Sequence, residues 1–126
     1  MVYKIVSDKP IELIKEELSE HAKKSGFGLV GSYDFKQILQ LKGHPIDRDI
    51  TVYELCNPMA AQEALMALPE ISVYLPCRIS LYEERGKSIL ATINIEDILN
   101  SVDVDSDFKI QMQSVYEYLQ KLMHSF

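Results

Sequence analysis

Residues 78–93 read RISLYEERGKSILATI and predict a β-hairpin. Arg78 to Glu83 has the composition of a strand, Ser88 to Ile93 has the composition of its partner, and Arg85-Gly86-Lys87 lies between them as a turn. A connection this short cannot carry a crossover between parallel strands, so the two strands must be antiparallel. This hairpin favours an antiparallel sheet over a doubly wound parallel one.

The rest of the chain alternates helical and strand patterns. Before the hairpin, strands are predicted over residues 2–6, 27–34 and 50–56. A first helix is predicted to begin at the Ser7-Asp8 cap and to end before Gly26. Two more are predicted over residues 35–41 and over residues 58–68, the latter with Asn57 as its cap and Pro58 as its first residue. After the hairpin, Asn94 is expected to cap a short helix ending at Leu99, and Ser106 to cap a last helix with an apolar stripe.

These elements predict one α+β domain over residues 1–126, with an antiparallel sheet. The first part has the ferredoxin-like order βαββαβ, to which a hairpin strand and a C-terminal helix are added. In a ferredoxin-like sheet, the third and fourth strands lie on either side of the first. The end of the strand at Cys56 and the start of the strand at Cys77 would then be about 10 Å apart, two strand spacings.

Composition excludes several classes of protein. The chain has 126 residues, a formal net charge of −6, 47% hydrophobic residues and 25% charged residues. This acidic balance argues against a nucleic-acid or anionic-membrane surface. The sequence lacks an apolar run of about 20 residues and a signal-peptide pattern at its start, and two cysteines are too few for a disulfide scaffold. We therefore expect a cytoplasmic protein with reduced thiols and no membrane partner.

Two cysteines in short proline motifs are the best candidates for a site. Cys56 precedes a helix N-terminus, where free N–H groups favour anions, and Asn57 is the expected cap of that helix. Cys77 follows Pro76 at a strand entry, and Arg78 could lower the pKa of this thiol, although neighbours in a strand point to opposite faces. Burial as a small apolar residue is the simpler explanation of each cysteine taken alone. Cys56, Asn57, Cys77 and Arg78 are the ligand-binding candidates, in a cleft shared by the two motifs.

Four short motifs also resemble a known family, the DUF302 family of small bacterial and archaeal proteins. In order along the chain they are Gly26-Phe27-Gly28, Cys56-Asn57-Pro58, Leu75-Pro76-Cys77 and Leu81-Tyr82-Glu83. The resemblance covers almost the whole chain and implies a compact, dimeric α+β domain without an established enzymatic activity. It supplies no catalytic residues. Arg78 and Leu90 depart from the pattern of the family, since an uncharged polar residue and a small residue are common at these positions.

The sequence thus favours a non-enzymatic homodimer that has no cofactor. This dimer is expected to bind a small ligand or a protein partner near the two cysteine motifs. The apolar stripe of the last helix, with Leu122, Met123 and Phe126, is a further reason to expect a dimer, because one small sheet does not need so much apolar cover. The alternative is a thiol-based protein that uses Cys56 and Cys77 for redox chemistry or a soft metal. His21, His44 and His124 are not spaced as metal ligands, and a hydrolase would need acid–base groups that the sequence does not identify.

Overall fold

The protein is described by a computed structural model covering residues 2–126. Five strands are present: β1 (Val2–Ser7), β2 (Gly28–Asp34), β3 (Ile50–Cys56), β4 (Cys77–Glu84) and β5 (Lys87–Ile93). Five α-helices accompany them: α1 (Ile11–Lys24), α2 (Phe35–Leu41), α3 (Pro58–Ala67), α4 (Ile95–Ser101) and α5 (Ser106–His124). A 3₁₀ helix, Pro69–Tyr74, occupies most of the connection between α3 and β4.

The five strands form one antiparallel sheet in the order β1-β5-β4-β3-β2. The α+β class, the antiparallel sheet and the predicted hairpin are confirmed. The ferredoxin-like placement of the first strand is wrong, because β1 lies at an edge and pairs with β5. The two arrangements differ because β3 pairs directly with β4, which closes the position predicted for β1. The tight turn of the hairpin places β5 on the other side of β4, so neither side of β4 is open to β1.

Helix starts follow local sequence, with two corrections. Asn57 caps α3 as predicted, since its Oδ1 accepts a hydrogen bond from the N–H of Ala60 at 3.2 Å. Asp105, not Ser106, caps α5 by accepting from the N–H of Phe108. The predicted Ser7-Asp8 cap of α1 is also wrong, because Pro10 stands at the cap position and makes no side-chain bond. Ser7 instead donates its hydroxyl hydrogen to the backbone carbonyl of Phe126.

The core lies between one face of the sheet and the helices. Alternate residues of the two central strands, such as Leu55 and Ile79, are buried on this inner face, and Ile14 and Leu18 of α1 pack into the same cluster. The largest helical contribution comes from α5. Its buried residues are Phe108, Met112, Tyr116, Leu119, Leu122 and Met123.

Burial of the α5 stripe removes one of the two reasons that the sequence offered for a dimer, the other being the family resemblance. Leu122 and Met123 are fully buried within the chain's own core. Phe126 is also used within the chain, because its ring stacks on His21 with centroids 4.2 Å apart and an interplanar angle of 7°. A dimer must therefore be argued from another surface.

Candidate functional site

The junction between β3 and α3 positions Cys56 and Asn57. Cys56 is the last residue of β3 and pairs with Gly28 of β2, so the sheet holds its backbone in place. Asn57 then leaves the strand and caps α3, with Pro58 in the first position of the helix. This local geometry fixes a half-buried thiol immediately before a helix N-terminus.

The β4 strand brings Cys77 to the same end of the sheet. Cys77 is the first residue of β4 and lies directly opposite Leu55 of β3, one residue before Cys56. The two cysteines are therefore on neighbouring strands. The predicted separation of two strand spacings is wrong because it assumed that β1 lay between β3 and β4. Both cysteines are free thiols, and Cys77 is buried.

Between these strand ends and the helices lies a small apolar cavity, which we name the cysteine pocket. Its volume is about 160 Å³. It is lined by Leu55, Cys56, Asn57, Ala60, Ala61, Ala64, Leu65, Leu75, Pro76, Cys77, Met112 and Val115. The structure thus brings three of the four predicted site residues into one cavity. Met112 and Val115 of α5 were missed as lining residues, because the sequence shows their apolar stripe but not which strand end it covers.

Burial controls the protonation of the Cys77 thiol. Loss of hydration and, to a lesser degree, the nearby Cys56 raise the pKa of Cys77 from 9.0 to about 11, although hydrogen bonding with Tyr116 partly opposes the shift. Burial also raises the pKa of the Tyr116 hydroxyl. Cys77 is therefore a neutral thiol near pH 7. A neutral thiol is a poor nucleophile and a poor metal ligand, which disfavours the thiol-based alternative at this residue.

Arg78 does not join this pocket. It follows Cys77 in β4, so its side chain points to the opposite, outer face of the sheet, where 63% of it is exposed. There its Nε donates to Oε2 of Glu54 at 3.2 Å. Of the four candidates named from the sequence, Arg78 is therefore the one that does not line the cysteine pocket.

Residues 2–126 contain neither a metal-binding cluster nor a helix that could cross a membrane. His, Cys, Asp and Glu side chains of these residues form no group of three or more that could hold a metal ion. Over the same residues, no helix combines the length and the apolar character needed to cross a bilayer.

Comparison with known proteins agrees with this fold. The chain is similar over 98% of its length to a crystal structure of an uncharacterized conserved protein DUF302 from Bacillus stearothermophilus, with a TM-score of 0.85, 22% sequence identity and 95% of that chain covered. At this identity the likeness concerns the fold. No curated protein matches the sequence. The family model described as "Domain of unknown function DUF302" matches residues 3–126, and the chain therefore belongs to the DUF302 family.

Proposed function

We propose that the protein is a non-enzymatic binding domain that holds a small, neutral, apolar ligand in the cysteine pocket. The observation that carries this proposal is the pocket itself, an apolar cavity of about 160 Å³ at the end of the sheet where both cysteine motifs meet. Apolar protein cavities of roughly 150 Å³ stay free of water and take up benzene or xenon. A ligand of that size and polarity is therefore the best match.

The lining explains why the ligand should be neutral. The lining residues include no Asp, Glu, Lys, Arg or His, and the raised pKa of Cys77 keeps its thiol protonated at neutral pH. A buried ionic ligand would have no counter-charge and would lose its hydration. Cys56 and Leu65 are only partly buried, so they mark the side from which a ligand enters. Two unpaired thiols also favour a reducing compartment, and we include a cytoplasmic location in the proposal.

Filling the pocket is expected to abolish binding of a small aromatic probe. Ala61 lines the pocket on α3, and an Ala61→Phe substitution would occupy the space with its ring. Fluorobenzene, followed by ¹⁹F NMR, should bind the natural protein and lose at least about tenfold in affinity in this variant. Ala67→Phe is the matched control, because Ala67 is exposed at the end of the same helix and does not line the pocket. Equal affinities of the two variants, or no binding by the natural protein, would contradict the proposal.

We also propose a homodimer, with a second copy covering the outer side of β2. This strand lies at an edge of the sheet, and Leu29, Val30 and Tyr33 within it are exposed. An edge strand presents unpaired N–H and C=O groups. The β2 strand has an irregularity between Leu29 and Gly31 but no lysine or proline that would block pairing. Pairing β2 with its own copy about a two-fold axis would satisfy both edges at once.

A charge placed on β2 is expected to separate the two copies. Light scattering at micromolar concentration should give twice the 14.4-kDa chain mass for the natural protein and the single-chain mass for Val30→Glu. Met66→Glu adds the same charge at an exposed apolar position of α3 and should leave the dimer intact. A monomeric natural protein, or equal dissociation by both variants, would be the contrary result.

A further inference from the structure

The outer face of the sheet carries a second and larger cavity, which we name the sheet groove. It has a volume of about 540 Å³, within the range of roughly 300–1,000 Å³ that is common for small-molecule sites. Its floor is formed by the sheet, and further lining comes from Tyr74 of the 3₁₀ helix, Ile98 of α4 and Tyr116 of α5. The apolar part of its lining comprises Val2, Val52, Val73, Ala91, Ile93 and Ile98.

Arg78 is the one charged side chain among the lining residues of the sheet groove. Only its Nε is engaged, by Glu54. Within residues 2–126, the structure gives its two terminal Nη atoms no hydrogen-bond partner. One edge of the guanidinium group thus remains able to donate two parallel hydrogen bonds, and this edge belongs to a side chain that lines an apolar groove.

Three residues hold Arg78 in this position. The Glu54 side chain is only 12% exposed, and its Oε1 accepts a hydrogen bond from the Tyr33 hydroxyl at 2.6 Å while its Oε2 accepts from Arg78. Gly31 leaves room for this arrangement. A Cβ atom at Gly31 would lie 2.7 Å from Oε1 of Glu54 and 3.3 Å from the Tyr33 hydroxyl. A guanidinium group oriented in advance loses less side-chain entropy when it binds a ligand.

We propose that the sheet groove binds an organic carboxylate with an apolar body, whose carboxylate group pairs with the free edge of Arg78. A planar carboxylate matches the fork of donors on that edge, and an alkyl or aryl body matches the apolar lining. The charge of the ligand should be −1. The single cation of the groove already has Glu54 beside it, so a phosphate dianion would face a carboxylate without a second positive group to compensate. The sheet groove and the cysteine pocket share Pro76, but they differ in their other lining residues and in the charge of the ligand that each favours.

Binding of 4-phenylbutyrate tests the proposal, with the neutral 4-phenylbutyramide as its partner compound. Calorimetry should show that the natural protein binds the acid about tenfold more tightly than the amide, since a hydrogen-bonded charge pair is worth that much. Arg78→Gln should remove this preference while leaving the affinity for the amide unchanged. Most of the Arg78 side chain is in solvent, so the variant should keep its fold, which its thermal transition would verify.

Two control variants test whether the preference for the acid depends on Arg78 and on the sheet groove. Arg85→Gln removes the same charge in the turn of the hairpin, outside the sheet groove, and should preserve the preference for the acid. Ala61→Phe fills the cysteine pocket and should leave binding of the acid unchanged, so failure of one site does not imply failure of the other. The proposal is overturned if Arg85→Gln removes the preference for the acid as Arg78→Gln does, or if 4-phenylbutyrate and 4-phenylbutyramide bind equally. It is also overturned if the acid shifts the NMR signals of backbone N–H groups only around Cys56. The proposal would also be overturned if the acid failed to bind because a second copy covers the groove. In that case, the backbone amides of Ala91 and Val52 would be protected from hydrogen exchange in the dimer.

Discussion

Replacing Leu119 by alanine is expected to lower the free energy of unfolding by about 3 kcal/mol. Leu119 lies in the middle of α5 and is fully buried among core residues. Removing three methylene-sized groups from such a position costs their transfer free energy and leaves a cavity that the surroundings fill only in part. Urea unfolding, followed by far-ultraviolet circular dichroism, would measure the loss.

The same substitution at Ile110 is the control. Ile110 lies on α5 but is 62% exposed, so Ile110→Ala should change stability by no more than about 0.5 kcal/mol. The pair also tests where the α5 stripe is used. If the stripe formed a dimer interface instead of the core, the loss caused by Leu119→Ala would fall as protein concentration rises. Concentration-dependent unfolding of this variant would therefore count against the described packing of α5.

Raising the pH from 8 to 11 is expected to cost the natural protein about 2 kcal/mol of stability through Cys77 alone. Burial raises the pKa of this thiol from 9.0 to about 11. The folded protein therefore keeps a proton that the unfolded chain releases near pH 9. The resulting stabilisation is fully present below pH 9 and is lost as the pH rises through 11.

A comparison of variants isolates this effect from other groups. Burial also raises the pKa of Tyr116, and the Asp49 carboxylate helps to raise that of Lys15. Titration of these two groups therefore also lowers the free energy of unfolding as the pH rises, as titration of Cys77 does. Cys77→Ala keeps both groups and removes only the smaller contribution of Cys77 to the raised pKa of Tyr116, so its stability should fall less steeply over the same pH range by about 2 kcal/mol. Cys56→Ala should keep most of the steep fall, because burial is a larger cause of the raised pKa of Cys77 than Cys56 is. Parallel pH profiles for the natural protein and Cys77→Ala would show that the thiol is not buried as described.

Elements that depend on neighbours in sequence were predicted well. The β4–β5 hairpin follows from a Gly-containing turn between two strand patterns, and the start of α3 follows from Asn57 and Pro58. Both signals act over a few residues, through allowed backbone angles and one capping hydrogen bond. The Ser106 cap was misplaced by one residue because Asp105 offers the same chemistry.

The sheet order could not be predicted in the same way. A strand pattern indicates which face of a strand is buried, but it does not state which strand lies alongside. The position between β4 and β1 is taken by β5 because the hairpin closes locally, whereas β1 must pair across more than 80 residues of chain. The separation expected between Cys56 and Cys77 depended on this order and was wrong for that reason.

The sequence by itself determined the α+β class, the starts of most elements, and the three residues Cys56, Asn57 and Cys77 that line one pocket. Tertiary structure alone decided what surrounds them. Packing of α5 places Met112 and Val115 over the strand ends, and the alternation of β4 turns Arg78 away to Glu54 and the sheet groove. Local signals set backbone conformation residue by residue, whereas a cavity depends on side chains from distant segments, and the apolar contacts that join those segments are not directional.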